Sequence, residues 1–395
     1  MRKDFPIFKN NPDLIFFDST SSSQKPSYVI DAMKEYLEND YSNIHRGMYD
    51  IAIRSEKMYV ASKKKVCEVL NGNSWKEVIY TFNSTYASNL LASSIKKSNI
   101  LKKGDIVLVS ITEHHANVVP WLILKEEIGI HLEYVGVDKN FAIDMVDFKK
   151  KYTPEVKIIS LTHVSNVVGQ VNDLEQIGKL KREDTLFIVD ASQSVPHMKV
   201  DVQSLRCDAL FFTGHKIMAD SGIGILWGKK KFLKSLTPSF SWGGSISEVS
   251  MAGYAMAGLP DKFEPGTPNM TGALSLLKAF EYVDNIWGYE YIEKKEAELT
   301  QYFLDKLIKC TNITVIGSTK IKNRVSVFSF VVKWHHSDDV ADYLAEHGIA
   351  VRSGKHCAHP LFESLHIAHS IRVSMYIYNQ TDEIDKLFHL LSKLK

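Results

Sequence analysis

The sequence predicts an α/β protein: a mostly parallel central sheet with helices on both faces, followed by a small α+β domain at the C-terminal end. Two observations carry this. Five apolar runs of strand length each end in polar residues, with helical patterns between them, and these ends bear Ser84 and Thr85, His114, Asn166, Asp190 and Gln193, and His215 and Lys216. A parallel sheet with a site along its carboxyl edge produces this rhythm. Past Thr311 the pattern changes to strand, helix, strand over 324–332, 337–347 and 349–352, which marks a change of domain. The expected division is a large domain over 14–280 and a small one over 281–395, with residues 1–13 packed on the small domain. A chain of 395 residues is long enough for both.

Taken in order, 14–18 is a short apolar strand closed by the cluster Ser19 to Ser23, and Pro26 opens an amphipathic helix over 27–37. Asn43 to Gly47 is a loop, and a lysine-rich helix follows over 51–70, its cations read as a solvated face. The strand 78–82 runs into Asn83-Ser84-Thr85, where hydroxyls cap the next helix and can also bind phosphate at its N-terminus. Strands follow at 106–110, 156–161, 185–190 and 208–212, then a glycine-containing one at 222–227. From Trp242 to Pro268 the glycines and prolines predict loop and turn, and two helices follow over 272–287 and 289–310.

Composition excludes several classes. A net charge of +2 with 24% charged residues makes no electrostatic case for nucleic acid or an anionic membrane. The longest apolar runs, such as 325–332, are far too short to span a bilayer, and the charged residues 1–11 do not form a signal peptide. Cys67, Cys207, Cys310 and Cys357 are scattered, without metal or disulfide spacing, which favours a reducing, cytoplasmic setting. The first three read as buried apolar fillers.

Two groupings carry chemistry. Thr213-Gly214-His215-Lys216 follows a buried strand, so the Lys216 amine is poorly solvated; a solvated loop lysine is the plainer alternative for the tripeptide alone. The strand ending at Asp190 changes the balance. A pyridoxal phosphate (PLP) enzyme needs this pair, a lysine to hold the aldehyde and an acid to keep the pyridine nitrogen protonated. Of the vicinal His114 and His115, one is better explained as a ring over a flat cofactor than as a metal ligand, since adjacent histidines point apart. The second grouping is Arg352-Ser353-Gly354-Lys355-His356-Cys357-Ala358-His359-Pro360, where basic neighbours favour a reactive thiolate. Zinc on His356, Cys357 and His359 would be crowded, and no metal is expected.

Many separate motifs in one order carry a resemblance: Ser23-Gln24-Lys25-Pro26-Ser27, His45-Arg46-Gly47, Glu113-His114-His115-Ala116-Asn117, Thr162-His163-Val164-Ser165-Asn166, Asp190-Ala191-Ser192-Gln193, Gly214-His215-Lys216, Gly266-Thr267-Pro268-Asn269, Arg352 to Ala358, and Arg372-Val373-Ser374. From about Phe17 to Asp385 the chain resembles the class V aminotransferase group of fold-type I PLP enzymes. Within it, the chain is similar to the group II cysteine desulfurases of the SUF system. The resemblance implies that Lys216 carries the cofactor, His114 stacks on its ring, Asp190 pairs with the ring nitrogen and Gln193 meets the phenolic oxygen. Ser84, Thr85, Thr213 and His215 would hold the phosphate, with Thr267 reaching in from a second subunit of a homodimer. Arg372 would bind the substrate carboxylate, with Arg352, His45, Arg46 and Asn166 lining that side. L-Cysteine would lose its α-proton to Lys216 or His114, and Cys357 would take the sulfur, releasing alanine. An acceptor protein in iron–sulfur cluster assembly would then receive it.

Two departures stand out. Tyr86 replaces the acidic residue the family usually carries after the paired hydroxyls, and Met218 to Gly222 replaces a more proline-containing turn. Two other readings remain: a selenocysteine lyase or another class V PLP enzyme, and a sulfur carrier or scaffold that has lost catalysis.

Overall fold

The computed structural model describes residues 1–241 and 243–394; Trp242, where the glycine-rich stretch begins, and Lys395 lie outside them. A seven-stranded sheet forms the large layer, in the spatial order Val78–Thr81, Gly224–Gly228, Ala209–Thr213, Leu186–Asp190, Val156–Thr162, Ile106–Ser110 and His131–Val135. Gly224–Gly228 pairs antiparallel with both its neighbours, and the other pairings are parallel. The central strands are mostly apolar because both faces are covered, as a parallel sheet requires. Period-two alternation sends Val107, Val109, Ile158, Ile188, Phe211 and Leu226 to one core. It sends Leu108, Ile159, Phe187, Val189, Leu210 and Phe212 to the other.

The helices Ser84–Lys97 and Val119–Ile128 cover the first face, and Asp50–Val69 and Met270–Asn285 lie over the second. A second sheet, in the order 313–316, 327–332, 370–374 and 352–354, is antiparallel and encloses its own core around Phe303, Phe328 and Leu387. The helix Met270–Asn285 runs across the expected boundary at 280. Residues near the N-terminus pack on later parts of the chain: Phe5 meets Tyr282 and Tyr378, and Arg2 pairs with Glu383 at 2.5 Å. Among the described residues no helix is long and apolar enough to cross a membrane.

Three local expectations need correction. The edge strand His131–Val135 was not anticipated, because its exposed His131 and Glu133 dilute the apolar signal. Within the expected loop region, Ile246–Ser250 and Gly253–Met256 form an antiparallel hairpin; glycine at a strand end is compatible with a tight turn. The third concerns charge. Lys63 of the lysine-rich helix is 1% exposed, ion-paired with Glu264, and donates to the Val78 carbonyl at 2.9 Å. Glu264 also accepts from the Tyr59 hydroxyl at 2.7 Å and the Tyr80 amide at 2.5 Å, so one carboxylate ties the loop before Thr267 to a helix and a strand. Burial lowers the Lys63 pKa, opposed by Glu264. Glu264→Ala leaves that cation unpaired and is expected to cost about 3–5 kcal/mol in chemical denaturation. A loss of only about 0–1 kcal/mol, as for a surface pair, would contradict the burial.

Candidate active site

The parallel strands end along one edge, and their last residues lead directly into the chemistry. Thr81 precedes Asn83-Ser84-Thr85, Ser110 precedes Glu113-His114, Thr162 precedes Asn166, Asp190 ends its strand, and Thr213 precedes His215-Lys216. Gly224 faces both Thr81 and Thr213 across the sheet, and a Cβ there would lie 2.4 Å from the Asn83 backbone. Only glycine lets that turn settle so close. The Asn83 side chain caps the 14-residue helix by accepting from Tyr86 N at 2.8 Å, leaving other first-turn amides for an anion.

A cavity of about 410 Å³ opens at this edge, bounded by Ser84 and Thr85, His114 and Asn166, His215 and Lys216 on the large sheet. Arg352, Cys357 and Arg372 close it from the other side. Burial drops the Lys216 amine to about 8, with Asp190 opposing and Arg372 assisting. Asp190 is 4% exposed, and burial raises its carboxyl pKa. Its carboxylate accepts from Ser192 N at 2.9 Å. His114 is pushed down to about 3 by burial and then by Lys216, so its ring is neutral. Its Nδ1 accepts from Ala116 N at 3.1 Å, which places the ring proton on Nε2.

Arg372 is 3% exposed, and burial lowers it to about 10. It donates to the Asn166 carbonyl at 3.1 Å, to Ser21 Oγ at 2.8 Å and to Asp18 Oδ1 at 3.2 Å. Asp18 also takes Arg352 Nη2 at 2.9 Å, so one carboxylate serves both arginines. Cys357 is exposed, Cys67 and Cys207 are buried, and Cys310 is only partly so, against the expectation that it is a buried filler.

The expected residues do not all meet. Gln193 and Thr213 are buried and are not among the residues lining the cavity, and Gln193 Oε1 and Thr213 Oγ1 are unpartnered. Gln193 Nε2 is spent on the Thr20 carbonyl at 2.9 Å, so the free atom is an acceptor, suited to a ring hydroxyl. Thr267 is exposed and lines a different cavity with Tyr86, and exposed His45 and Arg46 do not line the Lys216 cavity. Asp18 and Glu113 were not singled out as site residues. Asp18 closes the first strand, and a carboxylate in that place was its only signal. Glu113 is fully buried, held at about 7 by that burial, and accepts from Ser110 Oγ, Asn117 Nδ2 and Thr162 N at 2.6, 2.7 and 2.9 Å.

A partly buried amine of lowered pKa, a buried acid, a neutral ring, unpartnered buried polar atoms and a helix N-terminus suit a phosphorylated aldehyde cofactor with a ring nitrogen. Among the described residues no cluster of three His, Cys, Asp or Glu could hold a metal ion.

The chain is similar to known proteins over nearly its whole length. A probable cysteine desulfurase of Synechocystis sp. is 38% identical over 390 residues, covering 98% of this chain and 92% of that protein. Another, from Pyrococcus abyssi, is 36% identical over 396 residues, covering 100% and 96%. The apo structure of a cysteine desulfurase from Thermococcus onnurineus NA1 is 34% identical and superposes with a TM-score of 0.94, covering 100% of this chain and 96% of that one. The family model for aminotransferase class-V matches residues 15–387, a span that takes in both sheets and every residue of the cavity, and the chain belongs to that family.

Proposed function

We propose that this protein is a PLP-dependent cysteine desulfurase, which removes sulfur from L-cysteine, releases L-alanine and leaves a persulfide on Cys357 for an acceptor protein. The observation that carries this reading is an exposed thiol lining the same cavity as a half-buried lysine amine, whose pKa desolvation lowers, and a buried guanidinium. Cys357 is close enough to add to the electrostatics of Lys216, Arg352 and Arg372. When bound, PLP draws the electrons of the substrate α-carbon into its ring.

The chain's own groups do the rest. Lys216 would hold the cofactor, and Asp190 would supply the charge that keeps its ring nitrogen protonated. His114 would lie against the cofactor's ring, Gln193 would offer its free acceptor to the ring hydroxyl, and Ser84, Thr85, Thr213 and His215 would hold the phosphate. Arg372 receives the substrate carboxylate, with Asp18 holding its guanidinium and Arg352's in place, and Asn166 lines that side. The α-proton goes to the Lys216 amine, which burial has brought near neutral pH. His114 is not the base, since its Nδ1 is occupied and its Nε2 carries the proton. The Cys357 thiolate then attacks the substrate sulfur; the new S–S bond forms as the carbon–sulfur bond breaks, and a proton delivered to the β-carbon completes alanine.

The functional unit of this reading is a homodimer. Thr267, His45 and Arg46 do not line the Lys216 cavity of their own chain, and exposed apolar side chains lie on nearby stretches: Phe82, Phe240 and Met48 at 64%, 53% and 92%. A second copy would cover these residues and bring Thr267 to a phosphate. Four free thiols suit a cytoplasmic setting, and iron–sulfur assembly through a SUF-type acceptor is the destination we assign to the sulfur.

The deciding assay is production of alanine and sulfide from L-cysteine with reductant, together with borohydride reduction and peptide mapping. The cofactor is expected on Lys216; its attachment to another lysine, or alanine production without it, would overturn the reading. The dimer has its own test. A Lys216→Ala chain mixed with a Thr267→Ala chain should regain activity, because the heterodimer has one site with both residues intact. If Thr267 serves its own chain, no site is intact and no activity returns.

A further inference from the structure

We propose that His115, acting through His359, is a positioning residue that holds the Cys357 loop in place for sulfur transfer; this rests on the desulfurase reading above. His115 is the second histidine of the His114-His115 pair and has no part in the chemistry just described. It faces away from the cavity, its ring 6.4 Å from that of His114. It meets instead the segment that carries the thiol. His115 N donates to the Cys357 carbonyl at 2.8 Å, and His115 Nε2 accepts from His359 N at 3.2 Å. The same Nε2 lies 2.9 Å from His359 Nδ1, with the two rings 4.6 Å apart.

The loop needs such support. His356 and Cys357 are consecutive non-glycine residues with φ of 50° and 55°, a costly left-handed conformation that persists only where surroundings enforce it. Asn166 Nδ2 fixes the first of them by donating to the His356 carbonyl at 2.8 Å. His115 fixes the second and also the start of the helix His359–Ser364. Every one of these anchors comes from the large sheet's carboxyl edge, the edge that also bears Lys216. The ring contact therefore sets the Cys357 loop against the place where substrate sulfur will sit.

The contact also has a proton requirement. For Nε2 to accept from the His359 amide it must be unprotonated, so His115 must be neutral. Burial and then the charge of His359 lower the His115 pKa, which favours the neutral ring that the contact needs. The other titratable groups nearby are His114 on the same loop and, on the hollow beside His359, Lys355, Glu363 and His366. As pH falls, protonation of His115 removes the acceptor.

The test uses purified, cofactor-loaded protein and two separate readouts: the absorbance change when L-cysteine binds, and the single-turnover rate of persulfide formation on Cys357 by mass spectrometry. His115→Phe keeps the ring's bulk and loses the acceptor. It is expected to slow persulfide formation on the order of tenfold to a hundredfold, as a displaced nucleophile does, while the absorbance change keeps its wild-type rate. His115→Gln offers an amide oxygen that accepts without titrating. It is expected to restore the rate at neutral pH and to lose part of the acid-side fall that the wild type shows. Transfer at the wild-type rate in His115→Phe would overturn the proposal, as would an equal slowing of both readouts or no recovery in His115→Gln. A wild-type protein that formed no persulfide would overturn the desulfurase reading itself, and this assignment with it.

Discussion

Cys357→Ala is expected to lower sulfur transfer by several orders of magnitude while the protein keeps its cofactor and still binds L-cysteine. Alanine has no nucleophile, and no other thiol replaces it, since Cys67 and Cys207 are buried and Cys310 lies on another part of the small sheet's core. The fold should not register the change. Cys357 is exposed, and its backbone, which alanine shares, makes the contact to His115. The stability difference should stay within about 0.5 kcal/mol, as for other surface substitutions. Labelled sulfur followed from cysteine to an acceptor gives the answer. Continued transfer by the alanine variant would reduce the protein to a PLP lyase without a persulfide.

Arg372→Ala should fail earlier, at substrate binding. Its guanidinium is almost wholly buried and shares Asp18 with Arg352. Removing one member of a buried, hydrogen-bonded charge pair typically costs about 2–5 kcal/mol, or roughly thirtyfold to several thousandfold in affinity at about 1.4 kcal/mol per factor of ten. The loss should appear in the concentration of L-cysteine needed for the absorbance change. Cysteamine, which lacks the carboxylate, provides the control and should bind both proteins alike. An equal loss with cysteamine would show that Arg372 shapes the cavity rather than reading the carboxylate.

The two variants separate the site into its halves, and the sequence made those halves visible to different degrees. Strand-to-turn transitions announced Lys216, Asp190 and His114, because a buried parallel strand must be apolar and whatever follows it must be polar. Cys357 was legible from its basic neighbours. Lys63 was not: a lysine in a lysine-rich helix looks solvated until Glu264, some two hundred positions later, is found beside it. Asp18 escaped for a similar reason, since its two arginines lie more than three hundred positions away.

What the sequence by itself determined about this protein is the layered α/β architecture, the order of its motifs and the candidates for its reactive groups, all of which depend on periodicity and local polarity. The tertiary structure alone decided the pairings. It assigned Asp18 to both arginines, put the His114 proton on Nε2, set His115 against His359, and left Thr267 outside the lining of the Lys216 cavity. Each of these depends on where two distant segments meet, and on how far burial shifts a charge once they have met. Neither quantity is a property of any short stretch of chain.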